Sequence, residues 1–339
     1  MSELGHRGNI IRAVGVSTAV LLGAIGCSGG SNAERPSVET EHDTPTTAHQ
    51  ATGACEPIKF TIPKYEDVSY PNEPKFTDSA LSQTDAETYD QAFRESTNFE
   101  NSSRILNEVF NRWGINVHVG EIPKEAIDKK DPKVLVHNPK GITQHTLDTS
   151  ARHMVDAFAK IPKPLVETLK DTLNIYLSSG LHIGKTELDQ YWVVDNNAKK
   201  TDLVLSIDKN VQTGETFLWD FANLLTDRMC GASADFKNFA TNNPKGFQYG
   251  KELVGMEHFA VFAFEETPKT PREDFAQIVY ALLQDGLPTE CNPSYPKAAL
   301  SRQYRKDTPP LCKKYQAVLQ TIASLDRKSA QQLVANGSS

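Results

Sequence analysis

The stretch that most constrains this chain is GETFLWDFANLLTDRMCG at residues 214–231. Phe217, Leu218, Phe221, Leu224, Leu225 and Met229 recur at the three- and four-residue spacing of a helix packed on a core. Trp219, Asp220 and Asn223 fall on its other faces. Three short β-forming runs precede it: NIYLS (174–178), YWVV (191–194) and LVLSI (203–207). Gly180 and Gly184 turn the chain after the first run, and Asp195, Asn196 and Asn197 turn it after the second. A well-signalled helix follows at 270–285. Strands followed by helices with apolar faces predict an α+β fold, a small mixed or antiparallel sheet with helices packed on it.

At 339 residues the chain is long enough for one large domain or two modest ones. A formal net charge of −7, with no basic stripe interleaved with aromatics, argues against a nucleic-acid partner. At the N-terminus His6, Arg7 and Arg12 precede an apolar run over 13–25 that is too short for a stable membrane span. It ends in LLGAIGC, which resembles a bacterial lipobox, with Ala24 where such boxes usually carry Leu. The resemblance implies a signal peptide over 1–26 and a lipidated Cys27 as mature N-terminus. It also implies a membrane anchor of more than one acyl chain and an extracytoplasmic body. The alternative is an ordinary secretory signal with an incidental cysteine. Residues 27–54 are rich in Ser, Thr, Pro, Glu and His and read as a disordered tether.

Beyond Cys27 lie Cys55, Cys230, Cys291 and Cys312, with no CxxC pair. An even number in an exported chain suits disulfides better than a metal site, and three pairings are open. Cys291 with Cys312 would close a short Pro-rich loop. Cys55 with Cys230 follows by elimination.

The periodicity divides the rest into an N-terminal strap and helical region (55–170), a core (171–290) and a disulfide-stapled helical tail (291–339). In the first, IKFTI is a short β-like piece, and helices are predicted at 85–93 and 102–113, the second closed by Gly114. INVHV (115–119) alternates like a strand, 124–140 reads as surface loop, and 149–160 is a further helix broken by Pro162-Lys163-Pro164. The tail carries a helix at 312–325 and room for a second to 335. There is no GxSxG elbow and no Gly-rich phosphate loop. The histidines are scattered; His258, beside Glu257, is the best placed to serve as a ligand or base, against a purely structural role.

Strands, an edge strand, a motif-bearing helix and a later helix with one acidic residue resemble, in that order, a zincin of the glutamate-ligand type. In zincins the core helix carries HExxH, both histidines binding zinc and the glutamate acting as base. Here residues 219–223 read WDFAN. The segment FAFEETPKTPREDFAQIVYALL (262–283) resembles one in secreted zinc peptidases where the Glu of EDFA is the third ligand. The resemblance covers residues 174–285. It implies that Glu273 is the ligand position, that Asp274 supports the site from outside the ligand set, and that Asp220 stands at the general-base position. Trp219, Asn223 and His258 would line the remnant cleft.

The departures matter more than the match. Hydrolytic zinc needs three protein ligands and an open position for water. The indole nitrogen of Trp219 has no lone pair to give. Asn223 offers a neutral carbonyl oxygen better suited to hard cations. Asp220 is one methylene short of the catalytic glutamate. Glu273 has a second reading: Thr270-Pro271-Arg272-Glu273 is a capping box that starts a helix. No cofactor is therefore expected. The chain reads as an envelope pseudoenzyme, a lipoprotein with a degenerate metallopeptidase-like domain that binds a peptide, an envelope protein or cell-wall material. One alternative is an active hydrolase holding zinc through an atypical set around Asp220, Asn223, Glu273 and His258. The other is a solute-binding or structural lipoprotein without peptidase ancestry.

Overall fold

A computed structural model of the chain describes residues 79–126, 135–195, 200–207, 213–231, 236–240, 243, 246–251, 267–288, 291 and 304–336. The lipobox with Cys27, the tether, the strap with Cys55, and Glu257 with His258 lie outside the described residues, as does the side chain of Cys230.

Each early helix starts on a polar cap. Ser82 accepts from the Asp85 amide to open α1 (Gln83–Glu95), and Asn98 accepts from that of Asn101 to open α2 (Phe99–Asn111). Gly114 then takes a left-handed φ of 63° and turns the chain into β1 (Asn116–Val119). After the two-residue strand β2 (Leu135–Val136), α3 (Gln144–Ala159) begins earlier than its apolar spacing suggests. The reason is local: Thr143 caps the Thr146 amide at 3.1 Å, so the polar first turn is helical before Leu147 reaches the core. A short helix α4 (Lys163–Glu167) leads to β3 (Leu173–Ser178). Then come β4 (His182–Ile183), β5 (Thr186–Glu187), β6 (Gln190–Asp195) and β7 (Lys200–Ser206).

The main sheet has the order β1-β3-β7-β6. Its first three strands are parallel, and β6 runs antiparallel along the edge beside β7. A small antiparallel sheet, β2-β4-β5, forms within the stretch between β1 and β6. The period-two alternation sorts side chains to two faces. Leu173, Ile175, Leu177, Leu203 and Leu205 join the main core under the helices. On the other face Tyr176, Val204 and Tyr191 pack with Ile122, Leu135, Leu181 and Leu188.

The chain leaves β7 and enters α5 (Thr213–Thr226), the helix anticipated at 214–231. Its surroundings differ from expectation. Rather than one apolar face, every residue except Glu215 and Trp219 is buried. The helix lies among α3, β7 and α7 (Pro271–Asp285), so it is covered on nearly all sides. Phe217 and Phe221 pack against one another with tilted rings, and Phe217 meets Phe110 and Phe158 to form the aromatic centre of the core. The first turn of α5 crosses α3 so closely that a Cβ on Gly214 would stand 2.5 Å from the His153 carbonyl oxygen. A π-helical turn, Asp227–Gly231, ends the helix, and the short α6 (Phe236–Ala240) follows.

The C-terminal helices α8 (Tyr304–Leu325) and α9 (Arg327–Asn336) belong to the same core, through Val318, Ile322 and Leu333. The Cys291–Cys312 disulfide is formed, with Cα atoms 5.1 Å apart. Gln332 Nε2 donates to Ser79 Oγ at 2.8 Å, so the last helix returns to the first described residue. The architecture is α+β, with a small mixed sheet, a small antiparallel sheet and packed helices. Among the described residues, no helix is long and apolar enough to cross a membrane.

Candidate functional site

The candidate site lies where α5 packs along α7. Helix α7 starts as its sequence dictates: Thr270 Oγ1 accepts the Glu273 amide at 3.1 Å, and Pro271 occupies the first turn. Glu273 turns back on this N-terminus, where its Oε2 accepts the Lys269 amide at 2.8 Å. It also places negative charge at the positive helix end. The capping role read from the sequence is therefore present in the geometry.

Arg272, one residue earlier, reaches across to the end of α5. Its guanidinium donates to Asp227 Oδ1 at 2.6 and 2.9 Å, and more distantly, at 3.4 Å, to the Asn223 side-chain and backbone oxygens. Asn223 Nδ2 donates back to the Trp219 carbonyl at 3.1 Å. The half-buried Trp219 ring meets Tyr280 of α7 edge-to-face, with centroids 6.0 Å apart. Trp219, Asn223, Arg272 and Tyr280 thus share one interhelical seam, with Glu273 at its upper end.

Asp220 faces the other way, toward the sheet. It is 0% exposed, and its Oδ1 accepts the indole N–H of Trp192 on edge strand β6 at 2.9 Å. Among the described residues its Oδ2 has no hydrogen-bond partner. Burial pushes the carboxyl well above its usual range, and the Trp192 hydrogen bond offsets this only in part. With α5 enclosed, the carboxyl is dry and its partner is an indole.

Asp274 is likewise turned away from the seam. It is 0% exposed and accepts from Lys314 Nζ of α8 at 2.6 Å and from the Tyr249 hydroxyl at 2.9 Å. The other histidines do separate work. His137 Nδ1 lies 2.9 Å from Ser178 Oγ, and His118 stacks on Tyr176 at 4.5 Å.

These residues do not fit a hydrolytic zinc ion. The seam offers an indole, an amide already hydrogen-bonded at both ends, and one carboxylate that caps its own helix. The carboxyl at the base position is buried on the opposite side. Among the described residues no three His, Cys, Asp or Glu side chains are grouped as a metal site.

Sequence reasoning missed Trp192, Arg272, Asp227, Tyr249 and Lys314. Two of these left a signal. Trp192 alternates with Tyr191 in a strand and so points to the opposite face, toward the helices. Lys314 lies one helical turn before the buried Val318 and shares its face. Arg272, Asp227 and Tyr249 carry no local mark, since Arg272 meets Asp227 and Tyr249 meets Asp274 across distant segments. No protein family, curated protein or solved structure matches this chain.

Proposed function

We propose that this protein is an envelope-anchored lipoprotein whose zinc-peptidase-like domain no longer hydrolyses peptides. The α5–α7 helix pair then serves as a scaffold for binding a peptide, another envelope protein or cell-wall material. One observation carries the reading: the side chains at the four positions that should bind zinc or activate water are committed to other partners. Asn223 is held by Trp219 and Arg272, Glu273 caps α7, Trp219 packs on Tyr280, and Asp220 is buried against Trp192. A carboxyl sealed from solvent against an indole has no water within reach to deprotonate, so the base function has gone with the ligands.

The order of elements supports the peptidase-like ancestry: two parallel strands, the antiparallel edge strand β6, the parallel strand β7, then the core helix and a later helix opening on Glu273. The disulfide between Cys291 and Cys312 supports a location outside the cytoplasm.

The test measures metal and anchoring on the same preparation. Zinc should be substoichiometric, and a chelator should leave the melting temperature unchanged. Cys27→Ser should move the protein from the membrane fraction to the soluble one. Tightly held stoichiometric metal, lost together with peptidase activity, would replace this reading with an active hydrolase. Retention of the Cys27→Ser variant in membranes would remove the lipid anchor.

A further inference from the structure

Away from the α5–α7 seam, an amine and a carboxyl are sealed together from water. Lys314 on α8 and Asp274 on α7 have side chains at 0% exposure, with Nζ 2.6 Å from Oδ2. The walls are aromatic: Nζ stands 4.8 Å from the Phe247 ring centre and 5.9 Å from that of Phe239. Phe236 and Phe239 in turn pack edge-on against Phe275, the neighbour of Asp274. The Tyr249 hydroxyl donates to the same oxygen, Oδ2, at 2.9 Å and accepts from Asn243 Nδ2 at 2.7 Å. Among the described residues the other oxygen, Oδ1, has no hydrogen-bond partner.

A permanent ion pair suits this place poorly. Two charges are stripped of water, and one carboxylate oxygen is left without a donor. Burial instead drives both groups toward their neutral forms, raising the carboxyl and lowering the ammonium, while each partner's charge opposes the change. An uncharged amine held against a protonated carboxyl is the reactant pair of an amide, and proximity of this kind replaces an external activating group.

We propose that Lys314 and Asp274 become joined by an isopeptide bond, an amide between Nζ and Cγ that forms once the fold has brought α7 and α8 together. In the reaction the Nζ lone pair adds to Cγ, and the Cγ–Oδ1 π electrons move onto Oδ1. As Oδ1 re-forms the carbonyl, the Cγ–Oδ2 bond breaks. Oδ2 leaves as water, carrying its own proton and one from nitrogen. Tyr249 is the relay for that second proton: it donates to Oδ2 and recovers a proton from Nζ, with the Asn243 amide steadying the phenol oxygen. Nothing is oxidised or reduced, and the only by-product is one water. The product removes both charges and turns the unpartnered Oδ1 into a neutral amide carbonyl, which tolerates the absence of a donor better than a carboxylate does. The bond would span the same α7–α8 connection that the Cys291–Cys312 disulfide closes, and reductant would not open it.

The experiment uses the full chain, reduced, digested with trypsin and read by tandem mass spectrometry. The expected result is a branched peptide joining the Asp274 and Lys314 segments, lighter than its two linear parts by one water, with no cleavage after Lys314. Lys314→Met should yield the Asp274 peptide only in linear form, and Tyr249→Phe should lower the cross-linked fraction. Linear Asp274 and Lys314 peptides as the only products from the wild-type protein would overturn the proposal and leave a buried ion pair. The decisive reading is made on the wild type, so a variant that fails to fold does not obscure it.

Discussion

Asp220 sets ionisation against folding. In the unfolded chain its carboxyl titrates near the ordinary 3.8, while in the folded protein burial holds it protonated well above that. The sign follows from linkage: below about pH 4 both states carry the proton, and nothing is lost. As pH rises from there toward the folded value, only the unfolded state ionises, so stability falls by up to about 1.4 kcal/mol per pH unit. Asp220→Asn keeps an oxygen for the Trp192 N–H and cannot ionise. Its urea midpoint should therefore gain on that of wild type as pH is raised from about 4 to 8. Parallel pH profiles for the two proteins would mean that Asp220 is ionised in the folded state. The residue's position on α5 was legible in the sequence, but its environment was not. Helical spacing shows which side chains share a face. It does not show that an indole from β6 will close over the face that looked polar.

At the scale of elements, helices that start on local signals were the most readable. Thr270, Pro271 and Glu273 lie within one turn and interact as their spacing implies, so α7 was legible to its first residue. The antiparallel sheet β2-β4-β5 was not, because two-residue strands are too short to show alternation. Nor could α3 be placed exactly, since its polar first turn lacks the apolar period that marks the rest. How α3 and α5 cross is also a property of the pair, and it rests on Gly214. Alanine is the better helix former by about 1 kcal/mol, which on propensity alone would make Gly214→Ala stabilising. The added methyl, however, would meet the His153 carbonyl oxygen at 2.5 Å, and a backbone atom cannot swing aside. Overpacking of this kind costs about 1–3 kcal/mol, so the clash should win and the urea midpoint should fall. A rise would show that the two helices can separate at little cost.

For the molecule as a whole, the main apolar cluster includes Ala80 and Leu81 at one end of the described chain and Leu333 and Val334 at the other. The C-terminal helices supply Val318, Ile322 and Leu333 to it, along with Cys312 of the disulfide, and beside it α8 carries Lys314, the partner of Asp274. A chain ending at residue 303 would leave those contacts open on α7. It should show no cooperative thermal transition by circular dichroism. A sharp transition near the wild-type temperature would make α8 and α9 an appendage rather than part of the core.

The return of α9 to the start of the described chain also sets a timetable. Gln332 hydrogen-bonds Ser79, and the Leu287 amide donates to the Leu333 carbonyl at 3.2 Å. Synthesis delivers a polypeptide from its N-terminus onward, so Ser79 and Leu287 gain these partners only once residues 332 and 333 have been made. Until then the nascent chain leaves open the sides of α4 and α7 that α9 covers, and it depends on chaperones or on speed to reach that point unaggregated.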